Sequence, residues 1–314
     1  MTRLLLVAVL LAGVAVACSP GGGDTSPTAT PTAVSVMQSP AGCSGRRPAE
    51  SDARHTVSSG RIERSYLLHL PPSYDGKTPA PVVIAFHGYD SNPEQMERLT
   101  GLNEAADAAG MVTVVPSGTG QNLAWNVEQF PNAPDDVDFV GNLVKTLEKY
   151  FCVDSQRIYL AGFSNGGAMA YLAACLLPGK FAAIGVVGGY TRCIADVPLI
   201  AIHGTADPSV PYDGFVPVAG AAAYPMIPQL ATARAEANGC QPQPQLSDPA
   251  PDVRLSTFTG CPEGEGQVQL YAVEGGGHTW PGSSIDIPSA GTTTKSINAT
   301  RLMLDFFARF KAAP

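Results

Sequence analysis

The sequence predicts an α/β protein whose mostly parallel sheet is covered by helices on both faces. Short apolar runs alternate with longer segments of helical character along the 314 residues. Such alternation is typical of strand–helix units around a buried parallel sheet. Apolar residues make up 45% of the chain and charged residues 15%, which is typical of a globular enzyme rather than a disordered or fibrous protein.

The clearest predicted strand is 81–86 (PVVIAF), which ends at His87 and Gly88. A run that is apolar at every position is expected to be buried on both faces. Further strands are predicted at 66–70, 111–115, 157–162, 181–187, 198–202 and 268–273. Helices are predicted at 93–109, 138–150, 166–177, 228–238 and 296–311. The sequence has no internal repeat, so 43–314 is predicted to be one folded domain.

The first residues are typical of an export signal. Residues 1–17 combine a positive charge at Arg3 with an apolar run that is too short to span a bilayer. Cys18 follows Ala15, Val16 and Ala17, a pattern similar to the bacterial lipobox, although lipoboxes prefer Leu where Ala15 stands. We therefore predict lipidation of Cys18. Ordinary cleavage after Ala17 is the alternative, since small residues at 15 and 17 also suit a signal peptidase.

Residues 18–42 are rich in Gly, Ser, Thr and Pro and nearly free of charge, so we expect a flexible linker after the lipidated Cys18. The lipid would anchor the protein outside the cytoplasmic membrane of a bacterium; without it the protein would be secreted. The lipid is the only membrane association that we expect.

Charge and motif content exclude several classes. The formal net charge is −8 and no block of Lys or Arg occurs, which argues against nucleic-acid binding. The sequence contains neither H-E-x-x-H nor a CxxC pair, so we expect no metal and no cofactor.

Residues 162–166 (GFSNG) match G-x-S-x-G, with Ser164 at the centre. The motif follows a predicted strand and opens a predicted helix, so the serine would stand on a sharp strand-to-helix turn. A chance match in a glycine-rich chain is the alternative, and the context argues against it. The motif therefore predicts the α/β-hydrolase fold with Ser164 as nucleophile.

A serine nucleophile needs a base, and the base needs an orienting acid. In this fold the order is serine, acid, histidine, which Ser164, Asp207 and His278 satisfy. Asp207 follows a predicted strand, and His278 lies in the glycine-rich stretch GGGHTW. The alternatives left open are His203 as the base and Asp213 or Asp248 as the acid.

An oxyanion hole is predicted from two backbone N–H groups. Asn165 follows the nucleophile, and Tyr89 follows the strand at 81–86. The side chain of His87 is expected to be structural. Trp280 and Trp125 are candidates for a wall against the substrate, with core packing as the alternative for both.

Four motifs occur in order along the chain: GFSNGGAMAYLAAC, HGTADPSVPYDG, NGC and GGGHTWPG. Together they resemble those of the secreted polyhydroxybutyrate depolymerase and feruloyl or acetyl-xylan esterase family. With its lipoprotein-like N-terminus, the chain is most similar to the LpqC-type esterase lipoproteins of actinobacteria. The resemblance implies a catalytic α/β-hydrolase domain with Ser164 as nucleophile, Asp207 as acid and His278 as base.

Six cysteines follow Cys18, and an exported protein meets an oxidising compartment. Cys240 and Cys261 flank a stretch rich in proline and polar residues, and the resemblance also suggests that they pair. Cys175 and Cys193 are close in sequence, which leaves Cys43 with Cys152; free buried thiols are the alternative.

The resulting hypothesis is an exported serine esterase. Its substrates would be feruloyl or acetyl esters of sugars, or short 3-hydroxyalkanoate oligomers, and we expect a monomer whose partner is this small or oligomeric ester. The alternatives are a cell-envelope acyltransferase that uses the same acyl-enzyme, a non-catalytic surface lipoprotein and, less well supported, a peptidase.

Overall fold

The structure, a computed structural model, describes Cys43 and residues 51–215, 225–262 and 267–312. The predicted signal peptide, the predicted lipidation at Cys18 and the whole predicted linker, 18–42, lie outside these residues. Within the described part of the chain, no helix is long and apolar enough to cross a membrane.

A ten-stranded sheet in the order β1-β2-β4-β3-β5-β6-β7-β10-β9-β8 forms the centre of the described fold. Its strands are β1 Ala53–Ser59, β2 Ile62–His69, β3 Ala80–Phe86, β4 Val112–Pro116, β5 Val153–Phe163, β6 Ala183–Val187, β7 Leu199–Gly204, β8 Gln245–Ala250, β9 Val253–Phe258 and β10 Val268–Val273. The strands from β4 to β10 in this order run parallel, and an antiparallel pair extends each end. The mostly parallel sheet that the sequence predicts is therefore present.

The helices of the described residues are α1 Pro93–Thr100, α2 Leu102–Ala109, α3 Asp136–Tyr150, α4 Asn165–Leu176, α5 Ile227–Ala237 and α6 Ala299–Phe307, with a short 3₁₀ turn at Pro288–Ala290. The single helix predicted over 93–109 is wrong. Gly101 adopts a left-handed conformation (φ 60°) and its N–H caps the end of α1, so the chain restarts as α2.

The sequence prediction missed the strands β1, β8 and β9. The side chains of β8 are exposed at all positions but the last, so this strand has no apolar face and no alternation to detect. Among the strands that the structure describes it pairs with β9 alone, and the two form an antiparallel hairpin at the edge of the sheet. The patternless segment between Cys240 and Cys261 is thus partly an edge hairpin.

Both faces of the sheet are covered. On one face, Val83 of β3 packs in a buried cluster with Met96 of α1 and Met303 of α6. On the other, the ring of Phe86 contacts Trp125, which stacks on Phe139 of α3. Alternate residues of β3 therefore pack into the core on opposite faces of the sheet, which explains why the whole strand is apolar.

Because the central strands are parallel, their carboxyl ends meet at one edge. β3, β5, β6, β7 and β10 lead to Gly88, Ser164, Gly188, Asp207 and His278, respectively. In open α/β sheets this edge is where ligands bind. The fold thus brings together residues that are up to 190 positions apart in sequence (278 − 88).

Candidate active site

Ser164 occupies a strained turn between β5 and α4, with φ 56° and ψ −122°. Its N–H donates to the carbonyl of Val187 at 2.9 Å, which ties the turn to the end of β6. A Cβ on Gly162 would lie 2.2 Å from the Gly166 carbonyl oxygen, and one on Gly166 would lie 2.2 Å from that of Phe86. Both positions of the motif must therefore be glycine, and the strain is typical of a functional turn.

His278 and Asp207 form a direct pair, with Nδ1 of the imidazole 2.7 Å from Oδ2 of the carboxylate. The other carboxylate oxygen accepts the N–H groups of Ser209 at 2.8 Å and Val210 at 2.7 Å. Burial by itself would raise the pKa of Asp207, but the hydrogen bond and charge of His278 outweigh it and lower the pKa. The carboxylate is therefore ionised and held toward the imidazole.

Two contacts place the Ser164 turn beside this pair. The ring of Phe163, next to Ser164, lies 4.9 Å from the His278 ring between centroids. Gly188, which follows the strand that holds the Ser164 N–H, is packed against the pair: a Cβ there would lie 3.1 Å from His278 Nδ1 and 3.4 Å from Asp207 Oδ2. The structure thus brings Ser164, Asp207 and His278 together at one edge of the sheet.

The alternative base and acids lie elsewhere or are otherwise engaged. His203 is buried and its Nε2 donates to the Val210 carbonyl at 2.7 Å, whereas the distance from Nε2 to Asp207 Oδ2 is 3.5 Å. Burial also lowers the pKa of His203, which favours a neutral structural imidazole. Asp213 and Asp248 are exposed, and Asp248 lies on β8 at the far edge of the sheet.

The two predicted oxyanion donors flank the turn at Ser164. Asn165 is the first residue of α4, where backbone N–H groups have no partner within the helix. Tyr89 lies just after β3, next to Gly88, whose added Cβ would be 3.4 Å from that of Ser164. Within the described residues neither N–H donates to an acceptor, so both can serve a ligand.

The prediction that Trp125 and Trp280 form a wall against the substrate is wrong, because both side chains lie in the core. Trp125 is 3% exposed, and its indole N–H donates to the His87 carbonyl at 2.8 Å. Trp280 is also 3% exposed; its indole N–H donates to Thr300 Oγ1 at 3.0 Å. A buried indole needs a hydrogen-bond partner, and both find one in the core.

A cavity of about 290 Å³ opens beside Ser164. The residues that line it are Val127, Glu128, Ser164, Asn165, Ala168, Gly189, Tyr190, Thr191, Arg192 and Val210. The sequence analysis missed the wall formed by Tyr190, Thr191 and Arg192, since the segment after β6 carries no recognised motif. The nearest signal was its position after a buried parallel strand, where such loops face the ligand.

Arg234 of α5 supports this wall from behind. Its side chain is almost fully buried, and one guanidinium nitrogen donates to the carbonyl oxygens of Cys193 at 2.9 Å and Thr191 at 3.4 Å. The guanidinium carbon also lies 3.8 Å from the ring centroid of Tyr171, on α4. A buried arginine therefore joins the wall to the helix that begins after Ser164.

The opposite wall is held by polar contacts of the chain between β4 and α3. The side chain of Asn165 accepts the Trp125 backbone N–H at 2.8 Å and donates to its carbonyl at 3.2 Å. Asp136, which forms a buried ion pair with Arg64 at 2.7 Å, accepts the Asn126 N–H at 2.6 Å. The segment that carries Val127 and Glu128 is thus tied to both α4 and α3.

Three disulfides join Cys43 to Cys152, Cys175 to Cys193 and Cys240 to Cys261. These are the three pairs that the sequence analysis proposed. The second bridge links α4 to the segment behind the cavity wall. Across the part of the chain that the structure describes, no group of three or more His, Cys, Asp or Glu side chains is placed to hold a metal ion.

The sheet order, the strained serine turn and the strand-end loops define an α/β hydrolase. The sequence profile described as Esterase PHB depolymerase matches residues 64–233, more than half of the chain. The chain therefore belongs to this esterase family.

Individual proteins that are similar to this chain are also named as esterases. The protein named "Putative esterase NocK", from Nocardia uniformis subsp. tsuyamanensis, is 32% identical over 337 aligned positions that cover 96% of each chain. Feruloyl esterase C of Emericella nidulans is 29% identical over 75% of this chain and 82% of its own. The acetyl xylan esterase structure from Aspergillus awamori superposes with a TM-score of 0.58 at 15% identity, covering 82% of this chain and 99% of that one. At that identity the likeness concerns the fold alone.

Proposed function

We propose that this protein is an exported serine esterase that hydrolyses carboxylic esters through an acyl-enzyme on Ser164. The observation that carries the proposal is the meeting of the strained Ser164 turn with the His278–Asp207 pair at one edge of the sheet. His278 would take the proton of the serine hydroxyl as it attacks the ester carbonyl and give it to the leaving alcohol. Water, activated by the same imidazole, would then release the acid.

The N–H groups of Tyr89 and Asn165 would stabilise the oxyanion of each tetrahedral intermediate. Asp207 would keep the imidazole in the tautomer that presents Nε2 to the serine, because Nδ1–H donates to the carboxylate. Each role uses a group already held in place by the fold, so little reorganisation is needed as charge develops.

The lining of the cavity favours an acyl group that carries oxygen atoms besides the ester carbonyl. Tyr190, Thr191 and Arg192 line one wall and present hydrogen-bonding groups, and the volume of about 290 Å³ is at the small end of ligand sites. Hydroxycinnamoyl esters, such as feruloyl esters of sugars, and 3-hydroxyalkanoate oligomers both have oxygen on the acyl part.

Three disulfides support export, because such bonds persist in oxidising compartments. We further propose that the folded domain begins near Cys43 and that Cys18 is lipidated, which would hold the enzyme at the outer face of the membrane.

The test compares wild type with Ser164→Ala on p-nitrophenyl acetate to octanoate, methyl ferulate, acetylated xylan and 3-hydroxybutyrate oligomers. Ser164→Ala should lower turnover of the best ester by at least about a thousandfold, since the triad acts as a unit. Ser247→Ala, on exposed β8, is the matched control and should retain wild-type rates.

Two further measurements sharpen the result. A fluorophosphonate probe should label Ser164 in peptide mapping and should leave Ser164→Ala unlabelled. Methyl ferulate should be cleaved with a higher kcat/KM than methyl cinnamate, which lacks the ring oxygens. Full activity in Ser164→Ala would overturn the mechanism, and equal rates on the two methyl esters would remove the argument for feruloyl esters.

A further inference from the structure

The loop that carries His278 is hydrogen-bonded to one neighbouring segment of the chain. We call residues 274–282 the histidine loop and residues 290–294 the strap. The His278 N–H donates to the Ala290 carbonyl of the strap at 2.7 Å. The Thr292 carbonyl accepts two further hydrogen bonds from the histidine loop, at 2.9 and 3.1 Å. The position of the His278 backbone therefore depends on the position of the strap.

The histidine loop and the strap are also closely packed beside His278. A Cβ added to Gly277 would lie 2.1 Å from the Ala290 carbonyl oxygen and 2.6 Å from Gly291 Cα. Because the two segments are in van der Waals contact at this point, a shift of the strap would be passed on to the residue that carries the imidazole.

Asp252, in the turn between β8 and β9, contacts both segments. Its Oδ2 accepts a hydrogen bond from the hydroxyl of Thr294 at 2.5 Å, and Thr294 is buried. Its backbone carbonyl accepts the N–H of Glu274, the first residue of the histidine loop, at 2.8 Å. This turn lies at the opposite end of the hairpin from the Cys240–Cys261 disulfide. One residue of the edge hairpin therefore holds the strap and the start of the histidine loop together.

The carboxylate of Asp252 is suited to this contact. Hydrogen bonds from the hydroxyls of Thr294 and Ser296 lower the pKa of Asp252, so the carboxylate is ionised and can only accept. Thr294 donates its hydroxyl proton to Asp252 and accepts the Gly282 N–H at its backbone carbonyl, at 2.9 Å. Asp252 is thus linked through Thr294 to the end of the histidine loop as well as to its start.

We propose that Asp252 is a positioning residue that holds the imidazole of His278 in place through Thr294 and the strap. The proposal rests on the esterase function proposed above and adds a residue outside the cavity. Of the described residues that line the cavity beside Ser164, none belongs to the strap. A displaced imidazole would transfer protons less well in the transition state, whereas substrate binding would change little. Loss of the bond between Asp252 and Thr294 should therefore lower kcat and leave KM nearly unchanged.

Thr294→Val and Thr294→Ser form a matched pair, because valine has the shape of threonine without the hydroxyl and serine keeps the hydroxyl. Thr294→Val should lower kcat about 5- to 30-fold with KM within about twofold, and Thr294→Ser should stay within about threefold of wild type. The loss should be partial, because Lys295, next to the strap, also donates to the Ser283 carbonyl just after the histidine loop.

Asp252→Ala should lower kcat by a factor similar to that of Thr294→Val. The double variant should lose no more than about twofold beyond either single variant, because both remove the same hydrogen bond. Asp248→Ala, which removes an exposed carboxylate of the same hairpin, is the control and should keep wild-type kinetics. Circular dichroism and urea unfolding establish that each variant is folded. If Thr294→Val is not, Asp252→Ala, at a half-buried position, provides the test.

The leaving group provides a readout that a merely structural role would not move. p-Nitrophenolate leaves without a proton, whereas methoxide must receive one from the imidazole. The loss of kcat/KM in Thr294→Val should therefore be larger for the methyl ester than for the p-nitrophenyl ester of the same acid.

Wild-type kcat in folded Thr294→Val or Asp252→Ala, a change in KM alone, additive losses in the double variant, or equal losses on the two esters would overturn the proposal. Ser164→Ala distinguishes the two levels. If Ser164→Ala is inactive while folded Thr294→Val has wild-type kcat, the role of Asp252 alone fails. If Ser164→Ala is as active as wild type, the esterase mechanism fails and the role of Asp252 fails with it.

Discussion

Asp207 Oδ2 lies 2.7 Å from His278 Nδ1, and the carboxylate side chain has no exposed surface. The two residues are 71 positions apart and come from the ends of neighbouring parallel strands, β7 and β10. A buried carboxylate that also accepts two backbone N–H groups cannot rotate away, so it fixes both the orientation and the tautomer of the imidazole.

Asp207→Asn should therefore lower kcat by about 10⁴-fold with little change in fold, because the amide can donate to Nδ1 and stabilise the wrong tautomer. Steady-state kinetics on the best ester measures the effect. Asp213→Asn, at an exposed aspartate of the following loop, is the control and should stay within about twofold of wild type. Wild-type kcat in Asp207→Asn would show that another residue orients the base.

Gly188→Ala should reduce kcat by about 10- to 100-fold, since a misplacement near 1 Å at a catalytic group has that cost. The added Cβ would lie 3.1 Å from His278 Nδ1, and Gly188 has φ +58°. Gly179→Ala is a matched control, because Gly179 has φ +72° but nothing within 4 Å of an added Cβ. Both variants should lose roughly 1 kcal/mol of stability from backbone strain. Only Gly188→Ala should lose activity, and equal kinetics in the two would remove this role.

Stability should depend on pH through His69. Its Nδ1 lies 2.5 Å from Asp52 Oδ1 and its Nε2 lies 2.7 Å from Asp107 Oδ1. Burial by itself would lower the pKa of His69, but the hydrogen bonds and charges of the two carboxylates outweigh it and raise the pKa above 6.5. A raised folded-state pKa stabilises the protein fully below the unfolded pKa, near 6.5, and the contribution is lost as pH rises through the folded value.

His69→Gln should thus lower the unfolding free energy by about 1 kcal/mol at pH 5.5 and by much less at pH 9. Urea unfolding at the two pH values measures the difference. Asp107→Asn, which removes one partner of the imidazole, should show a smaller effect of the same sign at pH 5.5. A larger effect of His69→Gln at pH 9 than at pH 5.5 would contradict the assignment.

The Cys240–Cys261 disulfide closes a loop of 21 residues that contains the edge hairpin β8–β9. The double variant Cys240→Ser, Cys261→Ser should lose about 3 kcal/mol of unfolding free energy, because the open loop adds entropy to the unfolded chain. Activity at low temperature should persist, since β8 and β9 lie at the edge of the sheet. Non-reduced peptide mapping checks the pairing, and a Cys240 peptide with a free thiol would refute it.

Lipidation at Cys18 predicts that the protein expressed in a bacterial host partitions into the detergent phase of a Triton X-114 separation. Cys18→Ser should be aqueous or unprocessed, since no thiol remains for the lipid. Radiolabelled palmitate should enter wild type alone. Wild-type protein found wholly in the aqueous phase would show that the lipobox interpretation is wrong.

The sequence by itself determined the sheet class, the central strands and the strand-to-helix turn at Ser164. These features depend on local patterns: apolar runs such as 81–86, and glycines at 162 and 166 that any other residue would block. The order of Ser164, Asp207 and His278 along the chain follows the order in which β5, β7 and β10 occur in the sequence, so it can be read without a structure. The edge hairpin β8–β9 escaped prediction because its first strand has no buried face.

Only the tertiary structure decided which side chains meet. Trp125 and Trp280 looked equally suited to a substrate wall or the core, and burial with hydrogen-bonded indoles assigns both to the core. His203 and His278 were rival candidates, and Asp207 Oδ2 lies 2.7 Å from Nδ1 of His278 but 3.5 Å from Nε2 of His203. The hydrogen bond that the His87 ring accepts from the Gly118 N–H could not be predicted either, because Gly118 lies on a different loop. Such contacts depend on the register and direction of distant strands, and no local pattern in the chain encodes them.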